Sequence, residues 1–230
     1  MGSRIPVYRP HGNVFFAILG LILTVIVVFI LIGATETAFQ AMGFTRIQVI
    51  LILAGTFVGS SINLPLWRIR GLDRVVRVQE VRSFWVTYRI PRVSVEEVST
   101  LLAVNVGGAL IPAVVSLYLL FSHQYLLLSA SLGVLLTAIL VHLMARKVPG
   151  LGIATPALLP PLAAAVSAYL LSPSAPNIVA YVSGTLGTLI GADLTNLGGI
   201  EKLGAPVLSI GGAGTFDGVF LSGIIAVLLV

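Results

Sequence analysis

Two carboxylates stand where a hydrocarbon solvent should exclude them: Asp193 in GADLTNL and Asp217 in GTFDGVF. Each lies in a long apolar stretch, and neither stretch contributes a Lys or Arg to neutralise it. An Asp at the centre of a membrane helix costs on the order of 2.5–3.5 kcal/mol, so a chain that keeps two is expected to use them. Two acids brought within a few ångströms cannot both ionise easily and tend to share a proton. The charged member then draws a proton from water while the neutral one polarises a carbonyl, which is the chemistry of aspartic proteolysis. Broken membrane helices carrying acids also bind protons and cations in secondary transporters. In that alternative Asp193, Asn196 and Asp217 form the ion site. A third reading makes the acids structural caps in a non-catalytic membrane scaffold.

The spacing of the pair sets a condition on the backbone. Counted from Lys202, straight helices would place Asp193 at roughly 13 Å and Asp217 at roughly 22 Å, so the depths would not match. Glycines flank the connection: Gly198, Gly199 and Gly204 on one side, Gly211, Gly212 and Gly214 on the other. They allow the chain to unwind. With APVLSI extended and a final helix opening near Thr215, Asp217 would meet Asp193. Gly211, Gly212 and Gly214 would then leave room for an extended substrate beside the carboxylates, and Val207–Ile210 would pair with it as a strand. Two further polar positions, Asn63 in GSSINLPL and Asn105 in NVGGALIP, set an amide beside small residues and a Pro. They either bond a neighbouring helix or line a polar cavity near the acids.

With these residues in view, DGVFLSGIIAVLL resembles the segment that follows the second catalytic Asp in the GxGD intramembrane aspartic proteases, the signal peptide peptidases and presenilins. The first catalytic Asp of that family lies on the preceding span before an apolar residue, as Asp193 precedes Leu194. Pro156-Ala157-Leu158 in TPALLPP matches the PAL tripeptide that lies close to the family's catalytic pair. The resemblance covers roughly residues 155–230. It implies a peptide-bond hydrolase with Asp193 and Asp217 as the acid/base pair and Pro156, Ala157 and Leu158 shaping the site. Phe216 stands where the family carries Gly, Ala192 where it carries Tyr, and here PAL precedes the acids.

Other chemistries lack their residues. There is no Cys, which excludes disulfides and thiolate sites, no HExxH zinc motif and no GxSG serine motif. His123 and His142 fall near opposite ends of one apolar segment, too far apart to share a metal, and read as interfacial residues. Glu96 and Glu97 suit the N-terminus of a helix. GGAG lacks the Lys of a phosphate loop. Neither a metal nor a cofactor is expected.

The elements that must hold these groups are membrane spans. Of the 230 residues 57% are hydrophobic and 9% charged, and the mean hydropathy is +1.08. No soluble domain has need of so much apolar surface. The pattern predicts an all-α polytopic membrane protein of one domain, residues 1–230, with seven spans. They are roughly Val14–Gly33, Gln48–Leu66, Val98–Phe121, Tyr125–Ala145, Thr155–Leu171, Asn177–Leu197 and Pro206–Val230. The fifth, with Pro156, Pro160 and Pro161, is expected to be kinked or partly re-entrant.

With the N-terminus inside, every Lys and Arg except Arg46 falls on the inner side, so the positive-inside rule predicts an N-in, C-out topology. That distribution explains the net charge of +5 by membrane orientation, with no nucleic-acid partner. Residues 67–97, holding RVVRVQEVRSFWVTYRI, alternate apolar and polar positions. They predict a small cytoplasmic β-hairpin or an interfacial element whose Arg residues face anionic headgroups. The expected setting is the cytoplasmic membrane of a prokaryote. The expected partners are lipids and a transmembrane peptide or protein substrate.

Overall fold

A computed structural model describes residues 12–83, 86–148, 152–198, 206–212 and 218–230, the side chains of 12–15 and 71–98 excepted. Helix predominates. Among the described residues the helices are α1 Gly12–Ala41, α2 Arg46–Gly59, α3 Ile111–Ser122, α4 Leu127–Met144, α5 Leu159–Leu171, α6 Pro176–Thr188 and α7 Gly218–Leu228. Three helical segments, Phe16–Ala41, Gln124–Met144 and Pro176–Asn196, are long and apolar enough to cross a membrane. The other described helices are apolar but shorter.

Local chemistry starts several helices. Thr45 and Gln48 form a reciprocal capping box on α2, which satisfies two backbone donors that the first turn leaves open. Prolines stand in the first turns of α3, α5 and α6, where the missing N–H has no helical partner to lose. Pro160 and Pro161 therefore open α5 and do not kink it, contrary to the expectation for the fifth span.

The larger departure is β-structure. β1 (Asn63–Ser83) and β2 (Val86–Asn105) form one antiparallel hairpin, in register from Asn63↔Asn105 to Ser83↔Val86 with an irregularity between Pro65 and Trp67. At about 3.3 Å per residue, it is an arm of roughly 70 Å, not a small insertion. It absorbs the end of the expected second span and the first third of the expected third. Ahead of α3 the chain turns through a π-helix, Val106–Leu110. The short strands β3 (Arg146–Val148) and β4 (Gly152–Ala154) pair with each other. The expected seventh span is also broken. Its first part is β5 (Val207–Ile210), extended as anticipated for APVLSI, and it pairs in parallel with Leu101–Val104 of β2.

α6 is the hub. Val179, Ala180, Tyr181 and Val182 are fully buried, and α3, α4, α5 and α7 all contact the helix. Close approach depends on glycine. A β-carbon on Gly184 would fall within 3.0 Å of Gly223 Cα, and one on Gly187 within 2.6 Å of Thr137 Cβ. This is small-residue packing of the kind that joins membrane helices. By contrast, α1 is exposed on all sides from Phe16 to Ile32; Thr35, Ala38 and Phe39 near its end are buried, as is Met42 just beyond it.

Contacts sort the helix ends into two groups. At one end Phe39 lies against Tyr181 with ring centroids 5.6 Å apart, and Ser129 of α4 donates to Leu171 O of α5. At the other end α2 finishes against the π-turn at Gly59 and Gly107, and the three-stranded sheet and the β3–β4 ribbon gather. Successive helices alternate between these ends.

Candidate functional site: a broken-helix cluster around Asp193

The site lies at the sheet-bearing end, where several helices stop. α6 gives way after Thr188 to a second π-turn, Leu189–Asp193, and then a 3-10 turn, Leu194–Asn196. π-turns inside helices occur frequently at functional sites. The half-buried Asp193 closes this one. Asn196, 8% exposed, donates from Nδ2 to the carbonyls of Gly191 (2.9 Å) and Ala192 (3.0 Å). It thus satisfies acceptors that the widened turn leaves open.

The glycine segment comes to Asp193. At the end of β5 the chain turns through Gly211 and Gly212 at φ of 77° and 84°, a region that side chains disfavour. The Gly211 N–H donates to Asp193 Oδ2 at 2.8 Å. Gly211 is pressed against the first π-turn, so that a β-carbon would lie 2.6 Å from Ala109 N. Glycine here serves both the turn and the close approach to the carboxylate.

Both candidate asparagines join the same cluster. Asn105, 2% exposed, caps the first π-turn by accepting from Gly108 N at 2.6 Å. Its Nδ2 donates to Ser60 O (2.7 Å) and to Asn63 Oδ1 (3.1 Å). The same Asn63 oxygen accepts from Ser209 Oγ at 2.6 Å. Ser209 lies on β5 two residues before Gly211, which opens the turn at the strand's end. Strand β5 therefore ties the asparagine network to Asp193.

Three neighbours were not legible as site residues. His142, near the end of α4, has Nδ1 2.8 Å from Thr195 Oγ1, and Thr195 donates its own proton to Gly191 O. The same His142 nitrogen lies 3.4 Å from Asn196 Nδ2. Lys147 Nζ donates to Gly198 O. His142 is thus docked on the turns that carry Asp193, and Ser209 is the hydroxyl that links the asparagines to β5. No local motif announces any of the three, because their partners are about fifty residues or more away.

The remaining candidates sit as follows. Pro156, Ala157 and Leu158 form an exposed turn ahead of α5, beyond β4, whose Gly152 faces Leu208 of β5. Gly214 and Asp217 lie outside the described residues, as do the Thr215 helix start and Phe216. His123 is at the far end of the bundle, beside a cavity of about 140 Å³ lined also by Met42, Phe44 and Tyr118.

The family model described as "Protein of unknown function (DUF1614)" matches residues 57–229, three quarters of the chain, and the protein belongs to that family. The match takes in every residue of the Asp193 cluster. No curated protein and no solved structure matches the chain.

Proposed function

We propose that this membrane protein is an intramembrane aspartic protease, in which Asp193 and Asp217 share a proton and activate water against a peptide bond. The observation that carries the reading is the Gly211 N–H to Asp193 Oδ2 bond at 2.8 Å. It brings the end of an extended strand onto a carboxylate at the level where the helices break. β5 is the edge of its sheet, with β2 on one side only. An extended substrate segment added to the other side would carry its backbone towards Asp193.

The likeness to GxGD proteases supports the assignment of Asp217 as the partner acid. So does helix register. Thr188 Oγ1 donates to Ser222 Oγ at 3.0 Å, while the following Gly223 faces Thr185 and Tyr181, so α6 and α7 run antiparallel. Asp193 is five residues beyond Thr188 and Asp217 five before Ser222. Equal offsets in sequence from one contact of an antiparallel pair are what two facing acids would require. In this reading the hairpin is on the cytoplasmic side of a prokaryotic membrane, and the Pro156–Leu158 turn borders the substrate path.

The test is cleavage of a transmembrane peptide carrying a quenched fluorophore by the purified protein in vesicles. Asp193→Asn and Asp217→Asn are each expected to lower the rate at least a hundredfold with the fold intact. A parent protein that leaves a panel of such peptides whole, or either variant at the parent rate, overturns the proposal.

One observation favours a second reading, an ion- or proton-coupled carrier. The two π-turns, the Gly211–Gly212 turn and the Asn63–Asn105–Ser209 network break three segments around one polar cluster, as cation sites of transporters do. Asp193-dependent uptake of a cation or proton by the same vesicles, without peptide cleavage, would select it.

A further inference from the structure

We propose that the seam between α6 and α7 is a proton path: a file of buried hydroxyls, Tyr181, Thr185, Thr188 and Ser222, leading through the bundle to the Asp193 carboxylate. The inference rests on Asp193 being the acid of the site, not on its hydrolysing a peptide.

Tyr181, Thr185 and Thr188 follow one another at four and three residues, so they share one face of α6. Tyr181 and Thr185 are fully buried, Thr188 is 3% exposed and Ser222 2%. Thr188 Oγ1 donates to Ser222 Oγ across the seam at 3.0 Å. The Tyr181 hydroxyl approaches Thr185, yet neither oxygen has a partner at hydrogen-bonding geometry. A hydroxyl left so in an apolar core is costly. A helical Ser or Thr ordinarily avoids this by donating to the carbonyl four residues back. Ser116 and Ser167 do so here, to Pro112 O and Ala163 O, whereas Thr185 does not. Gly223 keeps the seam clear at this point, since a β-carbon there would fall on the Thr185 hydroxyl.

The second π-turn aims Asp193 at the file. In an uninterrupted α-helix Asp193 would lie about 120° around the axis from Tyr181. A π-turn takes one residue more than an α-turn, which gives Asp193 the angular place of residue 192, about 20° from Tyr181. The step from Thr188 to Asp193, roughly 7 Å along the axis, is one that two bridging waters in file span. In each transfer a hydroxyl accepts a proton on a lone pair and releases its own. Only O–H bonds form and break. The proton leaves water at the α5–α6 end, where hydroxide remains, and arrives on an Asp193 oxygen.

The measurement is proton flux into sealed phosphatidylcholine vesicles holding the full-length protein and an internal pH dye, driven by an imposed potential. The parent is expected to move protons faster than protein-free vesicles, and Asp193→Asn to abolish the excess. Thr185→Val and Thr188→Val should each slow flux at least tenfold, and Thr188→Ser should restore it. Ser183→Ala and Thr137→Val should leave it unchanged. These two also remove unpartnered buried hydroxyls, but they face the α4 seam. Melting temperatures identify variants that fail to fold, and the Ser rescue reads the path when a Val variant is one of them. A parent no faster than empty vesicles overturns the proposal. So does a folded Thr188→Val at parent rate, or equal slowing by the α4-seam pair. Flux needs no peptide and cleavage needs no gradient, so the hydroxyl path and the protease reading can fail separately.

Discussion

Asn105 does three jobs with one amide: it caps a π-turn through Gly108, holds the end of α2 through Ser60 and fixes Asn63. Its removal leaves buried donors and acceptors open, each costing about 1–3 kcal/mol. Asn105→Ala is therefore expected to destabilise the protein by about 2–3 kcal/mol in detergent unfolding, whereas Asn63→Ala, which leaves the Asn105 bonds to Gly108 and Ser60 in place, should lose less. Equal losses would show that the cap is not what matters. A glycine pair offers a sharper contrast. Gly211→Ala must adopt a φ of 77° and meet Ala109 N, with a left-handed penalty of about 1–2 kcal/mol before any clash. Gly198→Ala meets nothing within 4 Å and is expected to be nearly neutral. A Gly211→Ala variant as stable as Gly198→Ala would remove the close approach from the account of the site.

At the scale of elements, the sheet root and the arm beyond it are separable. Pairing at the root, Asn63↔Asn105 to Arg70↔Ser99, together with β5, holds the site. The arm beyond Gly71↔Val98 extends it without touching Asp193 through any of these pairs. Replacing residues 72–97 by an Asn-Gly turn, the natural closure of a two-residue hairpin, should leave the melting temperature within a few degrees and peptide cleavage intact. Collapse of the fold would place stability in the arm. The alternation in the arm made the hairpin legible in the sequence. Its root was not legible, for a physical reason. STLLAVN is a central strand with β1 on one side and β5 on the other, and Leu102 and Ala103 are each 1% exposed. A strand covered on both faces loses the period-two signal and reads as a helix. The break in the last span was legible because glycines mark it. The Asp193–Gly211 contact was half legible, in the requirement that the two segments meet. His142 and Ser209 were not, since their partners are set by packing alone.

For the whole molecule, alternation of the helices between two ends puts the Arg-rich arm and the Asp193 cluster at one end and His123 at the other. The absence of Cys makes single-cysteine labelling a clean check. Gln124→Cys should react with an impermeant maleimide in intact cells, and Ser83→Cys only after the membrane is opened. The reverse pattern would invert the topology, and with it the side from which the hydroxyl file draws protons.

α1 is the exception to this economy of contacts. Its side chains from Phe16 to Ile32 face outward on every side, and in a bilayer those sides face acyl chains, which distinguish little between one aliphatic side chain and another. A helix in that position is specified by how far it reaches, not by the order of its residues. Exchanging Phe16–Ile32 for an alternating Leu-Ala run of equal length should leave melting and activity unchanged. Removing one turn should tilt or strain the remaining contacts of Ala38, Phe39 and Met42. This portion of the chain is expected to behave as an anchor rope, constrained in its length and tolerant in its lettering.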